Sequence, residues 1–300
     1  MKMNPKNVFF FLLLVVLAVA CKKTIVSNND IREITGSIKD INDEEGVGQY
    51  VYVLDDIYKI KDEPNVLPEN EVYANSNPVL LSAEITNRIL YVKINAGQTG
   101  TGQVKIRSRS GSVYRDDDFK VTITSISATE AMTRAVDYFK SAEYALAESH
   151  FALVIAKNAT ASLSDAYMGL GFSRMRLGKD EENYGYNDLK TSRGLNPSNV
   201  DAIAGLSLLD YAINEDYNKA ISYGRETLNK SAEFVFRYDE NLDKNDIRLN
   251  IALSQYASQL YDDCLATIQQ LDASFITDPS ASDYKTQLFE KLQELVDMYK

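Results

Sequence analysis

The hydrophobic period of this chain changes once, between Thr124 and Glu130, and that change restricts the fold more than any other feature. Before it, apolar residues alternate. Leu90, Val92 and Ile94 fall on one side of "ILYVKINA", with Tyr91 and Lys93 on the other. Val104 and Ile106 alternate with Lys105 and Arg107, and Phe119, Val121 and Ile123 with Lys120, Thr122 and Thr124. Period two with one apolar face marks half-buried strands. "QYVYVLDDIYKI" reads as a further strand. Glycines in "NAGQTGTG" and the pair Gly111–Ser112 supply tight connections, so an antiparallel all-β sandwich is expected. Past Thr124 the period becomes about 3.6, and "SATE" (Ser127 to Glu130) is a capping box that opens a helix. The chain therefore reads as multidomain: an all-β sandwich over 31–126, then an all-α half over 127–300. Residues 31–45 are ambiguous, because Ile31, Ile34, Ile38 and Ile41 have nearly helical spacing interrupted by Gly36.

The start has its own logic. Lys2 and Lys6 precede an unbroken apolar run, Val8 to Ala20, which is shorter than the roughly 20 residues a membrane span needs. Small residues follow, ending Ala18, Val19, Ala20, Cys21. This resembles a bacterial lipoprotein signal. The resemblance implies that residues 1–20 are removed, that Cys21 carries the lipid, and that 21–30, "CKKTIVSNND", is a tether. It also implies attachment to the cell envelope. Lys22 replaces the Asp that commonly retains such proteins at the inner membrane, so the outer membrane is expected, on its periplasmic or its surface side. An acylated Cys21 leaves Cys264 alone, and no disulfide framework is expected.

Both halves resemble known modules. Residues 50–124 resemble bacterial immunoglobulin-like and cadherin-like modules, on an early Asp-aromatic strand, "SNP", a Leu-x-Ile type strand, a glycine turn and the closing "DFKVTIT". The second half resembles tetratricopeptide repeats (TPR). Ala135, Tyr138, Tyr144, Ala147 and Phe151 fill the small and aromatic slots of a first unit. Tyr167, Leu170, Gly171, Leu177, Gly178 and Pro197 lie in family order in a second. Tyr217 and Ala220 mark a third, and Tyr261 and Cys264 a fourth. The array is degenerate, with an insertion at "SAEFVFRYDENLDKN", and "SASDYKTQLFEKLQELVDMYK" reads as a cap helix. The family's slot pattern implies a groove formed by the first helix of each pair. It would be lined by Phe139, Lys140, Met168, Phe172, Met175, Arg176, Tyr211 and Tyr256, side chains suited to a protein or peptide partner.

Charge and composition exclude other classes. The net charge is −11, and residues 129–300 carry 17 basic against 27 acidic side chains. Such a surface repels phosphate backbones, so no nucleic-acid partner is expected. Two acidic clusters, Asp40, Asp43, Glu44, Glu45 and Asp116, Asp117, Asp118, raise the question of calcium. Calcium asks for oxygens converging on one point, and in "DINDEEG" Glu45 stands where an EF-hand loop turns on glycine. The clusters read as solvated faces or edge guards, and no cofactor is expected. His150 is the only histidine and has no matching ligand motif; Cys264 reads as a small core residue. There is no G-x-S-x-G elbow, P-loop or paired-carboxylate motif, so the chain does not read as an enzyme. It reads as a lipid-anchored envelope scaffold for protein or peptide partners. The alternative is an outer-membrane glycan-binding lipoprotein of a polysaccharide-uptake system.

Overall fold

The computed structural model describes residues 37–46, 48–59, 67–95, 97–110 and 113–299. Residues 1–36, on which the readings of a signal, a lipidated Cys21 and a tether fall, lie outside them. The described chain falls into two compact units. One holds residues up to Tyr138 together with 145–159; the other holds Phe139–Tyr144 and everything from Thr160.

The first unit contains β1 (Ile41–Glu44), β2 (Gln49–Val53), a single helical turn α1 (Leu54–Ile57), β3 (Glu69–Asn75), β4 (Leu81–Thr86), β5 (Ile89–Ile94), β6 (Gly100–Ser110) and β7 (Val113–Thr124). They form two sheets, ordered β1-β7-β6-β3 and β2-β5-β4. All pairings are antiparallel except β1 with β7, where Ile41 lies opposite Val121. The alternation read from sequence decides which side chains turn inward. Leu90, Val92 and Ile94 of one sheet and Val104, Ile106, Phe119, Val121 and Ile123 of the other enter one apolar cluster with Leu54 and Tyr58. Asn87 and Arg88, both at positive φ, make the two-residue turn between β4 and β5. A primed turn of this kind matches the right-handed twist of paired strands. Residues 41–44, ambiguous by spacing, are a strand, because β7 offers Ile41–Glu44 a ladder of partners distant in sequence.

The secondary structure switches where the period switches. β7 ends at Thr124 and α2 (Ala128–Lys140) begins after Ser127, whose Oγ accepts from the Glu130 amide at 3.1 Å. The compact unit, however, runs on past that boundary to include most of α2 and all of α3 (Tyr144–Ala156) apart from its first residue. Glu45 is one reason. Its buried carboxylate accepts from the Ser125 hydroxyl and the Ile126 amide, both at 2.8 Å, and pairs with Lys157 just past α3. Arg134 of α2 pairs with Glu44.

The acidic clusters are consumed singly. Asp117 is buried and accepts from the Tyr58 hydroxyl (2.7 Å) and the Ile38 amide (3.1 Å). Asp116 pairs with Arg107 at 2.7 Å, Asp43 accepts from Tyr50 at 2.6 Å, and Asp40 accepts from the Lys120 amide at 2.7 Å. Among the described residues no three such ligands converge on one point. His150 is buried against Tyr138, ring centres 5.0 Å apart, with Nδ1 2.9 Å from the Leu146 carbonyl.

The second unit is built from antiparallel helix pairs: α4 (Leu163–Leu177) with α5 (Tyr186–Leu195), α6 (Val200–Ala212) with α7 (Tyr217–Lys230), and α8 (Lys244–Ala257) with α9 (Tyr261–Leu271). α10 (Tyr284–Met298) closes the end, packing Leu288, Leu292, Leu295 and Val296 against Leu249, Ala252, Cys264 and Ile268. Small residues set the spacing. A Cβ at Gly171 of α4 would lie 2.8 Å from Leu189 of α5. One at Gly205 of α6 would meet Leu189 at 2.8 Å and Phe172 of α4 at 2.9 Å. One at Gly224 of α7 would meet Ile251 of α8 at 2.6 Å. First helices therefore touch one another from pair to pair, and each second helix touches its partner and the first helix of the next pair, which is the stacking of a TPR-like array. An aromatic pair recurs where first and second helices meet: Phe139 with Tyr144 (5.1 Å), Tyr211 with Tyr217 (5.9 Å), Tyr256 with Tyr261 (5.5 Å).

Candidate functional site

The face formed by the first helices is not bare. Between α7 and α8 the chain makes a hairpin of β8 (Val235–Phe236) and β9 (Asp239–Asp243), with Val235 opposite Asp243 and Phe236 opposite Asp239. Phe234, Phe236 and Tyr238 are buried, Val235 and Arg237 keep much of their surface exposed, and residues 237–238 make the turn. This is the segment expected only as an insertion. Its inward rings meet the first helices. Phe236 stacks on Phe172 of α4 with ring centres 4.2 Å apart and planes at 25°. It also meets Phe139 edge-on at 5.8 Å, and Tyr238 lies 5.9 Å from Phe139. The rings gain the offset and edge geometries that aromatic pairs favour.

Charges lock the rings in place. Arg237 bridges the first turns of two first helices, donating to Asp165 of α4 at 3.0 Å and to Asp201 of α6. Arg176, near the end of α4, donates to Asp239 of the hairpin at 2.6 Å. Asp201 is almost fully buried, and burial pushes its carboxyl above the usual carboxylate range, outweighing Arg237. This carboxylate has been taken out of water at a cost that its partner only partly returns.

The eight expected groove residues now have places. Phe139, Met168, Phe172 and Met175 are buried, with exposures of 2, 0, 0 and 8 %. These four side chains are packed inside the unit. For Phe139 and Phe172 the physical reason is the hairpin, which covers them. Arg176 does reach the groove, where Asp239 engages it. Tyr211 and Tyr256 are half-buried and take part in the recurring clamp between paired helices; the Tyr256 hydroxyl donates to the Lys285 carbonyl at 3.2 Å. Lys140 is exposed. Sequence reasoning missed Phe236, Arg237, Asp165 and Asp201. The alternation in "FVFRY" was the available signal for the first two.

Elsewhere, Cys264 is fully buried, and burial pushes its thiol up to about 12, so it has no thiolate character near neutrality.

No family model matches the chain, and no curated protein does. Among solved structures, one of MamA aligns with 57 % of this chain and 81 % of its own, at 17 % identity and a TM-score of 0.38. A second MamA structure, from AMB-1, aligns with 57 % of this chain and 92 % of its own, at 15 % identity and 0.40. TTC0263, a thermophilic TPR protein from Thermus thermophilus, aligns with 56 % of this chain and 83 % of its own, at 14 % identity and 0.40.

Proposed function

We propose that this chain is a lipid-anchored scaffold of the cell envelope that binds a protein or peptide partner on the first-helix face of its TPR-like array. One observation carries the reading: that face already holds a hairpin tip, residues 234–239, by ring stacking and by charges at both ends of α4. A surface that seats one such turn has the shape and chemistry to seat another. The anchor is the lipid on Cys21, in the outer membrane, and the two sheets are an immunoglobulin-like or cadherin-like module acting as spacer or second binding surface. In-cell crosslinking followed by isolation of the tagged full-length chain tests the reading. Stoichiometric protein partners are expected. Retention of polysaccharide without any protein partner would overturn it in favour of glycan binding.

A further inference from the structure

We infer that the 234–243 hairpin is an internal ligand that holds the groove closed. The partner it stands in for is a tight turn carrying an aromatic residue, then arginine, then a carboxylate two residues on, as Phe236, Arg237 and Asp239 do across the turn at 237–238. The inference rests on the scaffold reading and adds the chemistry of the partner and the way access to it is controlled.

The chemistry of the seat is fixed by what the hairpin leaves behind. Without it, Phe139 and Phe172 would present two rings to water. Asp165 and Asp201 would form a carboxylate pair lacking its shared cation, one member nearly buried. Arg176 would lose its anion. The complement of that array is an aromatic side chain, a guanidinium that can reach two carboxylates, and an acid: Phe236, Arg237 and Asp239. Arginine suits the middle position better than lysine, because its planar fork can serve two acceptors at once. Asp201 is the most buried member of these ion pairs, and a carboxylate taken out of water there adds little stability by itself. A polar seat is what recognition requires.

For the hairpin to leave, Phe234, Phe236, Tyr238 and Leu242 must come out of burial, a cost that the partner's own ring has to offset. A two-stranded hairpin has little stability of its own. Its outer side is open: Val235 is 51 % exposed, and Glu240 and Asn241 are exposed. The Arg237 side chain is 43 % exposed, so water and salt reach its ion pairs. The flanking helices meet residues 234–241 in a backbone hydrogen bond, from the Lys244 amide to the Phe234 carbonyl at 2.8 Å, and in the pairing of Asp243 with Val235. α7 ends at Lys230, and α8 carries its own capping box from Asp243 and Asp246.

The probe is a labelled peptide of residues 232–244, followed by fluorescence anisotropy. It is titrated into the full chain and into a variant with residues 234–241 replaced by a Gly-Ser linker of equal length. The linker variant should bind at least about tenfold more tightly than the wild type, and binding should weaken as salt rises. The same peptide with Arg237→Ala should lose at least about tenfold in affinity. A linker variant that keeps the wild-type helical circular dichroism and ignores the peptide would overturn the inference, as would equal binding of the Arg237→Ala peptide. If the variant loses its helical spectrum, hydrogen exchange on the wild-type chain decides. Hairpin amides at Phe236 and Asp239 should exchange at least about a hundredfold faster than those of α4 and α6. Equal rates would make the hairpin part of the core and end the proposal. Peptide binding without any captured cellular partner would instead remove the scaffold reading and leave the hairpin's release intact.

Discussion

Replacing Gly171 separates close packing from helix propensity. The glycine sits inside α4, where alanine would gain about 1 kcal/mol of propensity. Against this, the new Cβ would lie 2.8 Å from Cγ of Leu189 and 3.0 Å from the carbonyl oxygen of Gly185. The carbonyl belongs to the backbone of the turn that starts α5. Moving it pushes two helices apart. Overpacking of this kind costs about 1–3 kcal/mol. Gly171→Ala should therefore range from neutral to about 2 kcal/mol destabilising. Gly171→Leu, with three more carbons for the same gap, should reach the upper end of the overpacking range, about 3 kcal/mol. Gly194 in α5 is the control, because a Cβ built there has nothing within 4 Å. Gly194→Ala should stabilise by about 0.4–1 kcal/mol. In a unit of this size each kcal/mol moves the midpoint by about 2–4 °C. Thermal unfolding followed by circular dichroism should place the two alanine variants on opposite sides of the wild type, or leave Gly171→Ala unmoved, with Gly171→Leu lowest. If Gly171→Ala raised the midpoint as much as Gly194→Ala, α4 and α5 would not touch at this point, and the register used for the whole array would fail.

Other perturbations read other parts of the structure. Burial raises the Glu45 carboxyl, but Lys157, Ser125 and Ile126 outweigh it and hold the group below its ordinary value. Its contribution is present above about pH 4.5 and is lost as pH falls through the lowered value, so wild type and Glu45→Gln should converge in stability under acid. At pH 7, Glu45→Ala should cost about 1–3 kcal/mol, because it strands a buried amide and a lysine, and chemical denaturation checks the figure. Asp246 behaves oppositely. Burial raises its carboxyl from 3.8 to about 6, so the native state binds more protons between these values and stability falls as pH rises through them. Asp246→Asn should flatten that slope in a pH series of unfolding midpoints. Cys21→Ser should abolish incorporation of labelled fatty acid and leave the leader uncleaved; unchanged labelling would rule out the anchor.

What the sequence revealed follows from what is local. The alternation of Leu90, Val92 and Ile94 is visible within six residues, and so is the helical spacing after Ser127. Both reappear as β5 and as α2, which begins at Ala128. The small positions Gly171 and Ala220 were legible because close helix approach admits few side chains. Non-local partners were not legible. Nothing near Ile41 announces that Val121 will lie beside it, and nothing near Asp117 announces Tyr58. The groove shows the same limit. Slot patterns assign Phe172 to a helix face, but they cannot say that Phe236, on an insertion far along the chain, returns to cover it. The alternation of Phe234, Phe236 and Tyr238 reads as one strand, whereas the chain turns at 237–238 and only Val235–Phe236 is strand before it.

The central claim is that the first-helix face receives a partner. Site-specific photo-crosslinking in intact cells tests it most directly. A photoreactive side chain is placed at Lys140 and at Tyr211 on first helices, and at exposed Lys190 on the second helix α5. Discrete protein adducts at 140 and 211, absent at 190 and stronger when the Gly-Ser linker replaces the hairpin, are the predicted result. Adducts only at 190, or none at any position with the linker in place, would contradict it.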